Sequence, residues 1–199
     1  MKSVIAAVIL LMACHARCDK VCQAPQSEAV YYWTGSNWDF YVINDYDQGL
    51  VLKVSGDDPN GDRWVLANVK TGVVYLNTPE GGCHYQQFLP EHIELFYQCL
   101  PENAELVRSG FLDFYYMPTN GAITFLAGMK ALPDTDYYVR HFSRYQSDIV
   151  EESLTYSVLY KFSLGISDPT VLDKDLSVCV EGPLDENLYY VKDYVANKQ

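Results

Sequence analysis

Cys83, His84, His92 and Cys99 gather two thiols and two imidazoles in one short stretch, and these are the residue types that bind zinc. Structural zinc sites draw their ligands from closely spaced pairs, two to five residues apart. The spacing here matches none of them, so the histidines read as surface residues and the cysteines as disulfide material. Residues 56–62, GDDPNGD, resemble a calcium loop but lack the alternating ligands and distant glutamate of an EF-hand, so a plain turn is expected. His141 lies close to Arg140 and Arg144 with no nucleophile to serve. There is no Gly-x-Ser-x-Gly elbow, no phosphate-binding glycine loop and no His-Glu-x-x-His. The expectation is a protein that is not an enzyme and requires no cofactor, with no catalytic residues, no assigned metal ligand, and Ca2+ as the one ion its acidity would suit.

Compartment follows from the first residues. Lys2, an apolar run over residues 4–12 and the small-residue stretch Ala13-Cys14-His15-Ala16 read as a signal peptide, residues 1–16. Lipidation of Cys14 is the rival reading. Removing Lys2 takes one basic residue from 14 set against 26 acidic ones, for a net charge near −13. That disfavours nucleic acid, which is bound by clustered Lys and Arg. It suits an extracellular fluid, calcium or a cationic partner. Cys18, Cys22, Cys83, Cys99 and Cys179 remain, an odd number in a compartment that oxidises thiols. No Asn-x-Ser/Thr acceptor exists, since Asn77-Thr78 is followed by Pro79, so N-glycosylation is not expected.

The elements that would position any site are strands. Residues 40–43, 50–54, 63–69, 73–76, 111–117, 122–127, 137–145 and 155–166 are apolar, aromatic or alternating, and turn residues separate them. Pro118-Thr119-Asn120-Gly121 carries the Asn-Gly hairpin signal. Short connections imply antiparallel pairing. Along the longest run, Tyr156, Val158, Tyr160, Phe162, Leu164 and Ile166 point to one face, with Leu159 the exception on the other. Helix spacing occurs at Leu89, Ile93 and Phe96, and again at Leu184, Leu188, Val191 and Val195, which predicts a C-terminal helix within residues 181–199. The aromatic stripe is equally compatible with a filled core and with a ligand cavity.

Four segments in order carry a resemblance: "CQAP" at Cys22, "VVYLNTPEGGC" ending at Cys83, "CLPENAEL" from Cys99, and "FSLGISDPTV" followed by Cys179. The set is similar to the ependymin-related proteins and spans nearly all of residues 22–179. The resemblance implies a mainly β domain over residues 17–180. Two curved antiparallel sheets would form a half-barrel, like a lipoprotein carrier, around an apolar pocket. It also implies a Cys83–Cys179 disulfide, worth about 3–4 kcal/mol in the chain-entropy model. The family's Cys-x-Pro before the long strand is replaced here by Ser-Asp-Ile-Val-Glu-Glu-Ser at residues 147–153. Cys22 is therefore left to pair with Cys99 or Cys18, or to stay free.

The expected function is binding of a hydrophobic or amphipathic ligand, a lipid or fatty acid, by a secreted protein, with the lysosomal lumen as the alternative location. Tyr156, Val158, Tyr160, Phe162, Leu164 and Ile166, with Trp64 and Phe114, would line the pocket. A homodimer is expected. The alternative function is an acidic extracellular-matrix or adhesion protein acting through calcium and self-association.

Overall fold

The computed structural model describes residues 20–33, 38–88, 96, 98–118, 123–147 and 157–182. The expected signal peptide, the helical spacing at residues 89–95 and the C-terminal tail beyond residue 182 lie outside them. Six strands follow one another as an antiparallel meander: β1 (Gln26–Trp33), β2 (Trp38–Asp45), β3 (Leu50–Ser55), β4 (Trp64–Asn68), β5 (Val73–Thr78) and β6 (Gly82–Gln87). A tight turn joins β4 to β5, where at Gly72 the backbone takes φ of 70°, which a side chain would disfavour. A second sheet holds β7 (Glu105–Arg108), β8 (Asp113–Pro118), β9 (Ile123–Ala131) and β10 (Tyr138–Ser147), in the order β10-β9-β8-β7. β8 and β9 pair antiparallel with Pro118 opposite Thr124, and the connection holding Asn120-Gly121 lies outside the described residues. The protein is mainly β, and its sheets of eight and four strands are not closed into a barrel.

The larger sheet gains its last two strands from the end of the domain. β11 (Ser157–Leu164) pairs antiparallel with β1, and β12 (Val180–Glu181) pairs parallel with β6, giving the order β11-β1-β2-β3-β4-β5-β6-β12. The chain must therefore cross the whole sheet between β11 and β12. Seven strand spacings of about 4.8 Å make roughly 34 Å, and residues 165–179 reach about 50 Å when extended. Slack remains for one 3-10 turn at Pro169–Leu172, capped by Asp168. This strap fills one face: Val171 and Leu172 are buried against Val30, Tyr41, Ile43, Leu52, Val54, Trp64 and Leu66, with Ile166, Leu176 and Cys179 beside them.

Both ends of the strap are fastened. At its start the Glu28 carboxylate accepts from Ser163 Oγ at 3.0 Å, Ser167 N at 3.2 Å and Ser167 Oγ at 2.9 Å. Burial pushes the Glu28 carboxyl up, but the bonds from Ser167, Ser163 and Tyr41 outweigh it and hold it below its usual value. Gly165, at φ of 79°, turns the chain out of β11. At its far end Cys179 is bonded to Cys83, 96 residues away in sequence. A second disulfide, Cys22–Cys99, holds the N-terminal segment where Tyr138 N donates to Cys22 O at 2.8 Å. Both disulfides fit an extracellular or otherwise oxidising compartment. Among the described residues no helix is long and apolar enough to cross a membrane.

Replacing Cys83 and Cys179 together by serine is expected to lower unfolding stability by about 3–4 kcal/mol. Urea unfolding without reductant measures this, and an unchanged midpoint would show that the strap is held without its disulfide.

Candidate functional site

Residues directly opposite one another in an antiparallel sheet share a face. Reading across the larger sheet, Phe162, Ala29, Val42, Lys53, Val65 and Leu76 form one such row, on the face opposite the strap. The neighbouring row contains Ser27, Asn44, Val51, Ala67 and Val74. Two buried clusters grow from these rows. Ala29, Tyr31 and Val42 pack with Phe40, Leu159 and Phe162, while Val51, Val65, Ala67, Val74 and Leu76 pack with Phe96. In an otherwise apolar row, Lys53 is the single charged group.

One strand of the second sheet, β10, meets this face. Tyr31, stacked on Phe40 at 5.0 Å between ring centroids, donates its hydroxyl hydrogen to the carbonyl of Arg140 on β10 at 2.5 Å. The Arg140 guanidinium is near enough to act electrostatically on Tyr31, Tyr46 and Lys53 together. Lys53 Nζ sits 4.7 Å from the centroid of the Phe96 ring, a cation–π contact that returns part of its lost hydration. Burial, and then repulsion from Arg140, push the Lys53 ammonium down from 10.5 to about 8. Burial raises Tyr46 to about 12 and Tyr31 further, although Arg140 pulls both back. Tyr46 Oη accepts from Gln23 Nε2 at 2.9 Å. Ion pairs form elsewhere, between Lys20 and Glu102 and between Arg63 and Glu80.

The residues expected to line a pocket are distributed over both faces and both sheets. Tyr156 lies outside the described residues, and Val158 is aligned with Tyr32 in β11. Register slips by one residue opposite Val30 and Tyr31, so Lys161 faces Val30 while Leu159 faces Tyr31, leaving Tyr160 between them. This bulge breaks the expected alternation. Leu159 and Phe162 consequently join one cluster. Tyr160 is 79% exposed and Leu164 is 54% exposed. Ile166 and Trp64 pack together under the strap, on the opposite face from Phe162. Phe114 is half-buried in the second sheet, paired with Gly128.

Lys53 escaped sequence reasoning because a lysine in a short strand reads as its solvent-facing position. The one signal was its setting among Leu50, Val51, Leu52 and Val54, and its burial becomes legible only when the register brings Val42 and Val65 beside it. The histidine and cysteine cluster dissolves in three dimensions. Cys83 and Cys99 are in separate disulfides, His84 Nε2 lies 2.9 Å from Gly81 O, and His92 is outside the described residues. Among the described residues no group of three or more His, Cys, Asp or Glu could hold a metal ion. Within GDDPNGD, Asp58 Oδ1 accepts from Asn60 N at 2.9 Å, an Asx turn joining β3 to β4. No protein-family model matches the chain, and no curated protein matches it.

Lys53 gives the site a pH signature. An unfolded lysine keeps its proton to about pH 10.5, whereas Lys53 in the fold releases it near pH 8. Between these values the unfolded chain binds more protons, so stability rises with pH. Above about pH 10 the raised tyrosines reverse the trend. Unfolding measured from pH 7 to pH 10 is expected to show this rise in the wild type and its loss in Lys53→Met; parallel profiles would contradict the burial of a charged Lys53.

Proposed function

We propose that this is a secreted, ependymin-like binding protein that holds a hydrophobic or amphipathic ligand, a lipid or fatty acid, between its two sheets. The observation that carries this reading is the contrast between the two faces of the eight-stranded sheet. One is sealed by its own strap; the other carries the apolar clusters of Ala29, Tyr31 and Val42 and of Val51, Val65, Ala67, Val74 and Leu76, and is met by β10 of the smaller sheet at Tyr31. Such an arrangement supports an apolar cleft, the usual setting for a small amphipathic ligand. On this reading the wall is Phe162 with Ala29, Val42, Val65 and Leu76, while Trp64 and Ile166 serve the strap side. Calcium would bind at the acidic surface and stabilise rather than react.

The alternative, an acidic matrix or adhesion protein that self-associates, is favoured by one feature. Tyr160 and Leu164 are exposed on β11, an outer strand of the larger sheet, where a second copy would gain apolar contact.

Native mass spectrometry of protein secreted by its source cells, before and after organic extraction, tests the carrier reading. The expected spectrum shows mass in excess of the chain that extraction removes and that a fatty acid restores. A chain that emerges empty and takes up no fatty acid overturns the reading.

A further inference from the structure

Exposed apolar side chains are gathered at one place on the smaller sheet. Leu106, Val107 and Phe111 are 53%, 56% and 79% exposed, and all three lie on β7 or in the turn that follows it. β7 is the outermost strand of its sheet, on the opposite side from β10, the strand that meets the larger sheet. Glu105, Ser109 and Gly110 are exposed as well, and a Cβ added at Gly110 would meet no atom within 4 Å. The end of the β7–β8 hairpin therefore stands clear of the body as a projecting tip.

Register bears on what could cover this tip. Leu106 is aligned with Tyr115 and Arg108 with Phe114, so Val107 is left between them as a bulge. A four-residue edge strand interrupted in this way offers a second chain little unbroken backbone to pair with, a common defence against edge-to-edge association. The apolar side chains remain to be accounted for. Lys130 Nζ, from β9, sits 4.1 Å from the centroid of the Phe111 ring. An exposed ring with an ammonium on its face suits a bilayer interface, where the ring enters the acyl boundary and the cation stays among the phosphates. The carboxylate at the turn, Asp113, accepts from Ser109 Oγ at 2.6 Å and is engaged within the hairpin.

We propose that the tip of the β7–β8 hairpin is a membrane-docking wedge, with Leu106, Val107 and Phe111 entering the interfacial layer of a phospholipid bilayer and Lys130 meeting headgroup phosphate. Neither face of the larger sheet takes part, so the wedge acts whether or not the protein carries a ligand. The chain's net charge of −12 opposes attraction to an anionic surface. Apolar insertion is then the driving force, and a zwitterionic bilayer suffices. A fluid bilayer also accommodates a convex tip, which a folded partner could accept only through a matching groove.

Flotation of the disulfide-intact chain with phosphatidylcholine vesicles, in low and in high salt, tests this. Wild-type protein is expected to float with the vesicles in both, and to gain nothing when phosphatidylserine is added. Phe111→Ser is expected to weaken partitioning by about tenfold, the scale of withdrawing one large apolar side chain from a buried setting. Val107→Ser should weaken it in the same direction. Both residues are exposed, so the unfolding midpoint should not move in either variant. Val178→Ser, which changes a similarly exposed valine on the strap, is expected to bind as the wild type does. Absence of flotation, binding that needs phosphatidylserine and vanishes in salt, or an equal loss in Val178→Ser overturns the proposal. So does a dimer in sedimentation that Phe111→Ser disrupts, because a second copy would then be what covers the tip. Fatty acid uptake, measured on the same samples, bears on the carrier reading alone.

Discussion

The rest of the structure depends on the strap that runs from β11 to β12 across one face of the larger sheet. It is anchored by a buried carboxylate at one end and by a disulfide at the other. Eight strands present far more apolar surface than their own turns can cover, and a sheet with two wet faces would not be stable. By delivering Ile166, Val171, Leu172 and Leu176 to a single face, the strap removes that face from any further role. Glu28 matters because an acid buried under the sheet edge is tolerated only when its oxygens are satisfied, and Ser163 and Ser167 supply the donors. The Cys83–Cys179 bond then prevents the far end from peeling away from β6.

With one face closed, whatever the sheet does for function falls to the other, where β10 of the second sheet meets Tyr31 and the two sheets do not close into a barrel. The energetic asymmetry between faces is plain in their charges. Glu28 under the strap is held by Ser163 and Ser167, while on the other face Lys53 stands over Phe96 and its ammonium is pushed down by burial and by Arg140.

Much of the fold was legible in residue order. Alternation and turn chemistry located most strands of both sheets, and the Asn120-Gly121 signal located the β8–β9 hairpin. The Cys83–Cys179 bond was implied by family resemblance and is formed, and of the partners left open to Cys22, Cys99 is the one it takes. The departures have physical reasons. A bulge at Tyr160 adds one residue and moves Leu159 to the same side as Phe162, a change no period-two reading contains. The parallel β12 depends on a chain crossing seven strand spacings, which is a tertiary event. Lys53 and Glu28 are ordinary polar residues until register shows what stands beside them, so the candidate site was less legible than the fold around it.

The central proposal is that a hydrophobic or amphipathic ligand lies against the face opposite the strap. A crystal structure grown with a fatty acid brominated at its chain terminus tests it most directly. The account predicts a bromine anomalous peak along the row from Phe162 to Leu76. Bromine found only on the outer surface, with the two sheets packed tightly together at Val42 and Val65, would contradict it.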